Sequence, residues 1–462
     1  MNRSNSHAES RTLRRSRRGR LLAALACGVG TMALAMAAAA AESPNVLIVS
    51  VDTLRADHLS SYGHPRNTTP NIDALIQRGT RFTEARTVEP LTAPALCSML
   101  TSLDPHQHGT SRNGLRMRSG LASLPKALQA HGYRTAAFVG NWTLRDKLSG
   151  IGEHFAHYEE VLTRARWFGM LRNEATADDL TERALDWTAE RRHDGDVPFL
   201  LWVHYVEPHA PYRAHPELAA ALGMERRGNY TAAERYEMEI AFTDRAIGKL
   251  LRGLEKRSPA DETLVIFVSD HGESLGEHDY WGHGRNLYEA ALRIPMAIVW
   301  DGRVPVGTID APALITDIAP SVLSILGYPA PEGFAGHDWK AVLDGAPAPE
   351  HRVTHYQAHK GAVISAHDSE LARRSGLLEV GVIDGDRKEV FRIKKNRRMV
   401  FDLGADPFEL ASATDKKADP TERLLSWMRA VYDGLSSFED MPPEPLDDES
   451  IERMRSLGYV GD

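Results

Sequence analysis

The chain has 462 residues, 42% of them hydrophobic and 26% charged, and 55 basic against 63 acidic side chains leave a formal net charge of −8. That is enough chain for a large core in two or three domains, and the acidic balance argues against nucleic acid as a partner. The first 41 residues differ in kind: seven arginines and one acid up to Arg20, then an uncharged run over 21–41 that closes with Ala39-Ala40-Ala41. Charged, apolar and small-residue stretches in that order predict an export signal over residues 1–41, cleaved near Ala41, for a periplasmic or secreted product. Ser16-Arg17-Arg18-Gly19-Arg20-Leu21 is also similar to a twin-arginine signal. The alternatives are an uncleaved anchor, for which the run is about long enough, and lipid attachment at Cys27, which the preceding Ala24 disfavours. Loss of a net +6 takes the mature chain to about −14. Cys97 is then its one cysteine, so no internal disulfide is expected, and no second stretch is long enough to span a membrane.

Further along, the apolar runs 46–52, 135–141, 199–204, 264–270 and 294–300 are apolar on both faces. Such runs suit buried parallel strands, and the helical patterns between them predict a doubly wound, mostly parallel α/β sheet. Between the first two strands, Thr92-Ala-Pro-Ala-Leu-Cys-Ser-Met-Leu-Thr-Ser102 predicts a helix: Pro94 suits its first turn, and Leu96, Met99, Leu100 and Leu103 recur at helical spacing. Beyond residue 350, runs at 380–383, 390–393 and 399–401 predict short antiparallel strands, followed by a helix over 420–435. The predicted organisation is an export signal (1–41), a catalytic domain (42–345) and a smaller C-terminal α+β subdomain (346–462), joined near Ala346-Pro-Ala-Pro-Glu350.

Ligands in such sheets gather beyond the carboxyl ends of the strands, where Asp52, Asn141, His204 and Asp270 all fall. Thr92 lies at a helix N-terminus, a position that favours an anion, although taken alone a threonine there is more simply read as a plain N-cap. Asp52 and Asp270-His271 together offer two carboxylates and an imidazole to a divalent cation, and Thr92 adds a hydroxyl oxygen. A cation beside that hydroxyl makes it a competent nucleophile at neutral pH.

Several segments carry a family likeness. Asn45-Val-Leu-Ile-Val-Ser-Val-Asp-Thr-Leu-Arg-Ala-Asp-His58, Leu100-Thr-Ser-Leu-Asp-Pro-His-Gln-His-Gly109, Pro198-Phe-Leu-Leu-Trp-Val-His-Tyr-Val-Glu-Pro-His-Ala-Pro-Tyr212, Ser269-Asp-His-Gly-Glu273 and Trp281-Gly-His-Gly-Arg-Asn-Leu-Tyr-Glu289 follow one another in the order seen in sulfatases. Phe401-Asp-Leu-Gly-Ala-Asp-Pro-Phe-Glu409 and Leu457-Gly-Tyr-Val460 are similar to that family's C-terminal segment. The chain thus resembles the sulfatase family of the alkaline phosphatase superfamily over roughly residues 44–462. The resemblance implies a divalent metal on Asp52, Asp270 and His271, a nucleophile at Thr92, and His209 and His283 as catalytic groups near the leaving group. Glu207, His209 and His283 holding a second metal is the alternative. His204 and Asp57 are expected to support the site from behind, and His106 and His108 to end the nucleophile helix.

The departures bear on the reaction. Sulfatases convert a Cys or Ser to formylglycine, whose hydrate attacks sulfate and later expels it; threonine at position 92 cannot yield that aldehyde, so no formylglycine is expected. Leu96 stands where the signature has arginine, Thr53 where a second aspartate follows Asp52, and Asn141 and Thr143 where lysine and histidine are usual. Mixed oxygen and nitrogen ligation favours Mn²⁺ or Zn²⁺ over Ca²⁺, although sulfatases hold Ca²⁺ in a similar cage. The expected function is a metal-dependent hydrolase or transferase of phosphate or sulfate esters, phosphate favoured, acting on a small-molecule, glycan or lipid ester. The alternatives are a sulfatase working without formylglycine and an inactive glycan-binding relative. Trp142, Trp167 and Phe168 are candidates to line the cleft or, equally, to pack the subdomain interface, with the loops 145–173 and 213–230 setting specificity.

Overall fold

The computed structural model describes residues 43–166, 171–190, 197–258, 262–362, 373, 376–411, 413–415 and 419–431. The expected signal, Trp167, Phe168, the last residues of the helix predicted to reach 435, and Leu457-Gly-Tyr-Val460 lie outside the described residues. Among the described residues no helix is long and apolar enough to cross a membrane.

Eight strands form the central sheet: β1 (Asn45–Val51), β2 (Thr80–Phe82), β3 (Arg134–Val139), β4 (His157–Glu160), β5 (Phe199–Tyr205), β6 (Thr263–Ser269), β7 (Met296–Val299) and β8 (Gly307–Ile309). Their order is β8-β2-β7-β6-β1-β5-β3-β4. Every pairing is parallel except those of β7, which runs antiparallel to both β6 and β2. The sequence reading grouped 294–300 with the parallel strands; a run that is apolar on both faces signals burial and leaves direction open. Alternate residues of β1 feed two cores. Val46 and Ile48 join helices α2 (Thr92–Thr101) and α5 (Ile318–Ile325) on one face, and Leu47 and Val49 join α1 (Pro70–Ile76), α3 (Ala177–Glu190) and α4 (Ala232–Glu255) on the other.

Helix α2 is buried along its whole length, which explains why its apolar residues do not keep to one face. Ser102 ends it in the left-handed conformation (φ 57°). His106 and His108 therefore do not end that helix, as the sequence suggested; they belong to a separate turn, Pro105–His108. His108 folds back onto α2, its Nε2 lying 3.0 Å from the Ser98 hydroxyl while its Nδ1 accepts a 3.1 Å bond from the Thr110 N–H. That acceptor role requires neutral imidazole, and burial holds the ring down at about 3. The unfolded chain gains a proton near pH 6.5 that the folded ring refuses, so this stabilisation is complete above that pH and is lost as pH falls. At pH 5 the ring alone should cost about 2 kcal/mol. Thermal midpoints measured from pH 7 to 5 should fall, and fall less in His108→Gln; equal slopes would refute the assignment.

A second sheet is antiparallel and follows chain order: β9 (Thr354–His359), β10 (Leu377–Asp384), β11 (Arg387–Arg392), β12 (Arg397–Asp402) and β13 (Ala413–Asp415). Helix α6 (Glu422–Val431) covers it through Leu424 and Met428 on Leu377, Val380 and Phe391. Lys388 ties this sheet to the chain that leads into β7. Its buried ammonium lies 2.9 Å from Glu289 and 2.7 Å from Glu409, and Arg86 meets the other Glu289 oxygen at 2.8 Å. Two cations against two carboxylates balance, as a buried ionic cluster must.

Candidate active site and metal centre

Parallel register assembles the site. In β1 and β6 Val51 pairs with Ser269, and in β1 and β5 Ser50 pairs with His204, so the next residues, Asp52 and Asp270, emerge side by side with His204 alongside. The Asp52 N–H donates to the Tyr205 carbonyl at 2.8 Å, which fixes where the chain leaves β1. The Thr53 and His271 N–H groups both donate to Asp270 Oδ1, at 3.1 and 2.8 Å. Gly272 is needed for close approach, because a Cβ there would lie 2.1 Å from the Ala290 carbonyl oxygen. The Asp-His-Gly sequence thus turns directly against the chain that leads into β7.

Thr92 is the first residue of α2, whose N-cap is Leu91, so the plain N-cap reading does not hold. Its hydroxyl lies 3.4 Å from His271 Nε2. The helix start is satisfied from elsewhere: Asn113 Oδ1 accepts the Ala93 N–H at 2.9 Å. Asn113 was missed in the sequence, where it stands in a loop with no local motif. It is buried, and its Nδ2 makes no hydrogen bond.

Asp52, Thr92, His204, Asp270 and His271 are all fully buried. Asp52 Oδ1, Asp270 Oδ2 and His204 Nε2 have no hydrogen-bond partner. The His271 Nδ1–H donates to the Gly272 carbonyl at 2.9 Å, leaving the Nε2 lone pair facing Asp270 Oδ2 at 3.4 Å and Asp52 Oδ1 at 3.8 Å. His204 Nε2 stands 3.7 Å from Asp52 Oδ2, its Nδ1 held by the Ser50 hydroxyl at 2.9 Å. Donors about 2.1 Å from a four-coordinate cation stand roughly 3.4 Å apart, so this donor set fits a divalent ion. One atom each from Asp52, His204 and Asp270 also lie within 4.8 Å of one another. His204, read from sequence as a supporting residue, therefore joins the candidate ligands. Glu207, His209 and His283, the alternative set for a second metal, form no such group among the described residues.

The electrostatics point the same way. Burial pushes Asp52 up, but the imidazoles of His209, His204 and His271 outweigh it and hold the carboxyl below its usual range. Asp270 is driven well above its usual range by burial and then by the Asp52 charge. Burial, with His283 adding to it, keeps His271 neutral. Two buried carboxylates with orphaned oxygens are costly without a cation. Asn141 supports them without adding charge. Its Oδ1 accepts from the Thr143 N–H and hydroxyl, each at 2.9 Å, which turns its Nδ2 toward Asp52 Oδ2. Asn141 thus meets Asp52 with an amide, itself held by the Thr143 hydroxyl, in place of charged groups. Arg55 is likewise engaged, with Asp57, Glu277 and the Glu273 carbonyl.

His283 stands against His271, ring centroids 4.4 Å apart, and against His209 at 5.2 Å. Glu273 Oε1 lies 3.0 Å from His283 Nδ1. Burial disfavours the charged ring, but the Glu273 carboxylate more than offsets that and raises it above its ordinary value. His209 Nδ1 donates to the Ala210 carbonyl at 2.7 Å. All six candidate residues, Asp52, Thr92, His209, Asp270, His271 and His283, thus gather at one end of the central sheet. Trp142 is buried, 5% exposed.

A family model described as "Sulfatase" matches residues 44–328, and a second, "N-sulphoglucosamine sulphohydrolase, C-terminal", matches residues 276–426. The chain is similar to the N-acetylglucosamine-6-O-sulfatase of Bacteroides thetaiotaomicron, 23% identical over 504 aligned positions covering 87% of this chain and 88% of that one. Its fold resembles that of a protein solved with its substrate D-glucosamine-2-N,6-O-disulfate (TM-score 0.67, 20% identity, 87% of this chain and 99% of that chain). It also resembles the phosphonate monoester hydrolase of Agrobacterium radiobacter (TM-score 0.60, 18% identity, 90% of this chain and 96% of that chain).

Proposed function

The chain belongs to the sulfatase family of ester hydrolases, and we propose that within it this protein is a metal-dependent phosphate-ester hydrolase or transferase whose nucleophile is the Thr92 hydroxyl. The observation that carries the reading is Thr92 Oγ1 at the start of a buried helix, 3.4 Å from His271 Nε2, which itself faces two carboxylates with unsatisfied oxygens. Asp52, Asp270, His271 and His204 would hold one divalent cation, Mn²⁺ or Zn²⁺ by their mixed donors. When bound, the cation supplies positive charge that lowers the hydroxyl pKa and neutralises a non-bridging oxygen of the ester. Thr92 Oγ1 attacks the central atom in line with the leaving group, and a covalent ester to Thr92 forms as the substrate ester bond breaks. His283, fixed by Glu273, and His209 assist the leaving oxygen. Water or an acceptor alcohol then displaces the group from Thr92.

Phosphate suits this cycle better than sulfate. A formylglycine hydrate can expel sulfate by reforming its carbonyl; a threonine ester has no such route and must be released by attack at the central atom. The cation-poor lining around Asn141 and Thr143 also departs from the sulfate cradle of the family. The second reading, a sulfate-ester hydrolase acting on a sulfated sugar, draws on the sulfatase relative. Residues 1–41 serve in this proposal as the export signal, and the protein acts outside the cytoplasm on a small sugar or lipid ester. Within the mature chain, residues 42–345 form the catalytic unit and 346–462 the C-terminal subdomain. One preparation assayed with aryl phosphate, aryl phosphodiester, aryl phosphonate and aryl sulfate across Mn²⁺, Zn²⁺ and Ca²⁺ decides between them. Phosphoryl turnover at least about tenfold above sulfate is expected; the reverse ranking establishes the sulfatase reading. No turnover, with no metal retained, would leave an inactive binding protein.

A further inference from the structure

A second group of potential ligands lies on the helix α4 side of the chain that follows β1. Residues 56–58 form one short turn, and Gly63, in the left-handed conformation (φ 97°), closes the next. His58 and His64 are thereby brought together with ring centroids 5.0 Å apart at 25°. Glu237, near the start of α4, completes the group: one ligand atom from each of the three lies within 4.8 Å of the others.

We propose that His58, His64 and Glu237 form a second divalent-cation site, of zinc type, separate from the catalytic group. His58 Nδ1 and His64 Nε2 are both buried and make no hydrogen bond, and buried polar atoms without partners are uncommon. The His64 Nδ1–H donates to the Asp57 carbonyl at 3.1 Å, so the Nε2 lone pair points away from it, toward Glu237 Oε1 at 3.6 Å. Arg66 takes the other carboxylate oxygen at 2.6 Å and fixes its orientation. A ring N–H on a carbonyl and an outer partner on the carboxylate are the supports that orient metal ligands. Two imidazoles and a carboxylate suit Zn²⁺ and leave the fourth position to water. An alternative account is a stacked histidine pair packed edge-on against Tyr236, with His64 simply ion-paired to Glu237. That account leaves His58 Nδ1 buried and unsatisfied.

The site would fasten the segment after Asp52 to α4, so its effect falls on stability and metal content. The test compares the full-length protein with His58→Gln/His64→Gln, both stripped with chelator and then equilibrated with Zn²⁺. Zinc is counted by elemental analysis, and Co²⁺ replaces it for the visible spectrum. The parent should hold one more equivalent of zinc than the variant, whatever the catalytic group retains, and should gain a larger rise in thermal midpoint on zinc addition. Glu237→Gln, which keeps both imidazoles, should bind the extra equivalent at least about tenfold more weakly. Equal zinc content in parent and double variant, with both folded by circular dichroism, overturns the proposal. A double variant that does not fold passes the decision to Glu237→Gln, where unchanged zinc affinity overturns it.

Discussion

Thr92→Ala is expected to lower kcat by at least about 10⁴-fold while leaving the fold nearly as stable as the parent. Removing a covalent nucleophile costs on the order of 10⁴ to 10⁶ in rate, because residual catalysis comes from binding and charge alone. The stability side follows from position. Thr92 is the first residue inside α2, not its cap, and the cap residue, Leu91, has no side-chain bond to lose. The Ala93 N–H is met by Asn113 instead. A threonine that merely capped the helix would give the opposite pattern, a loss of about 1 kcal/mol of stability with turnover intact. Thr92→Ser keeps the hydroxyl and should stay within about tenfold of the parent. Measuring kcat and the unfolding midpoint on the same three proteins separates the readings, and turnover by Thr92→Ala above about a tenth of the parent rules out the nucleophile.

Much of this geometry was readable in the sequence because it rests on burial pattern and short local motifs. The runs at 46–52, 199–204 and 264–270 became β1, β5 and β6, since a doubly covered strand must be apolar on both faces. Asp52 and Asp270-His271 follow from where those runs stop. What could not be read depends on partners distant in the chain. The three-residue strands β2 and β8 are too short to show a period, and nothing local gives the reversed direction of β7. His204 sits inside an apolar strand, where a histidine with a hydrogen-bonding neighbour passes for a structural residue. Its unsatisfied Nε2 becomes visible only when β1 supplies Asp52 beside it. Asn113 is similar: its role is set by the N-terminus of a helix 20 residues earlier in the chain. Asn141 was noted as a departure from the family pattern, but its donation to Asp52 needs the three-dimensional arrangement.

Asp270→Asn should separate function from stability most sharply, abolishing turnover while making the metal-free protein more stable. Asp270 Oδ1 already accepts two backbone N–H groups, and an asparagine oxygen can keep both bonds. The change falls on Oδ2, which has no hydrogen bond and lies 3.4 Å from His271 Nε2. An amide NH₂ there can donate to that lone pair, where a carboxylate cannot. It also removes a buried charge beside Asp52, whose field and burial together hold the Asp270 carboxyl well above its usual range. The sign follows from linkage. The unfolded carboxyl ionises near pH 4 and the folded one resists, so a penalty is absent below that pH and grows as pH rises toward the folded value. The variant escapes the penalty, so it should be more stable than the metal-free parent at pH 7, with the difference vanishing near pH 4. Adding metal reverses the order, because a ligand that binds only the folded state contributes about 4 kcal/mol at a thousandfold excess over Kd. The parent receives that contribution, and the variant, short of one anionic ligand, receives much less. Unfolding midpoints of both proteins, with chelator and with Mn²⁺ or Zn²⁺, at pH 4 and pH 7, decide the matter. A metal-free variant less stable than the metal-free parent at pH 7 would mean that the Asp270 charge is compensated by the protein itself, and that the two carboxylates were not gathered for a cation.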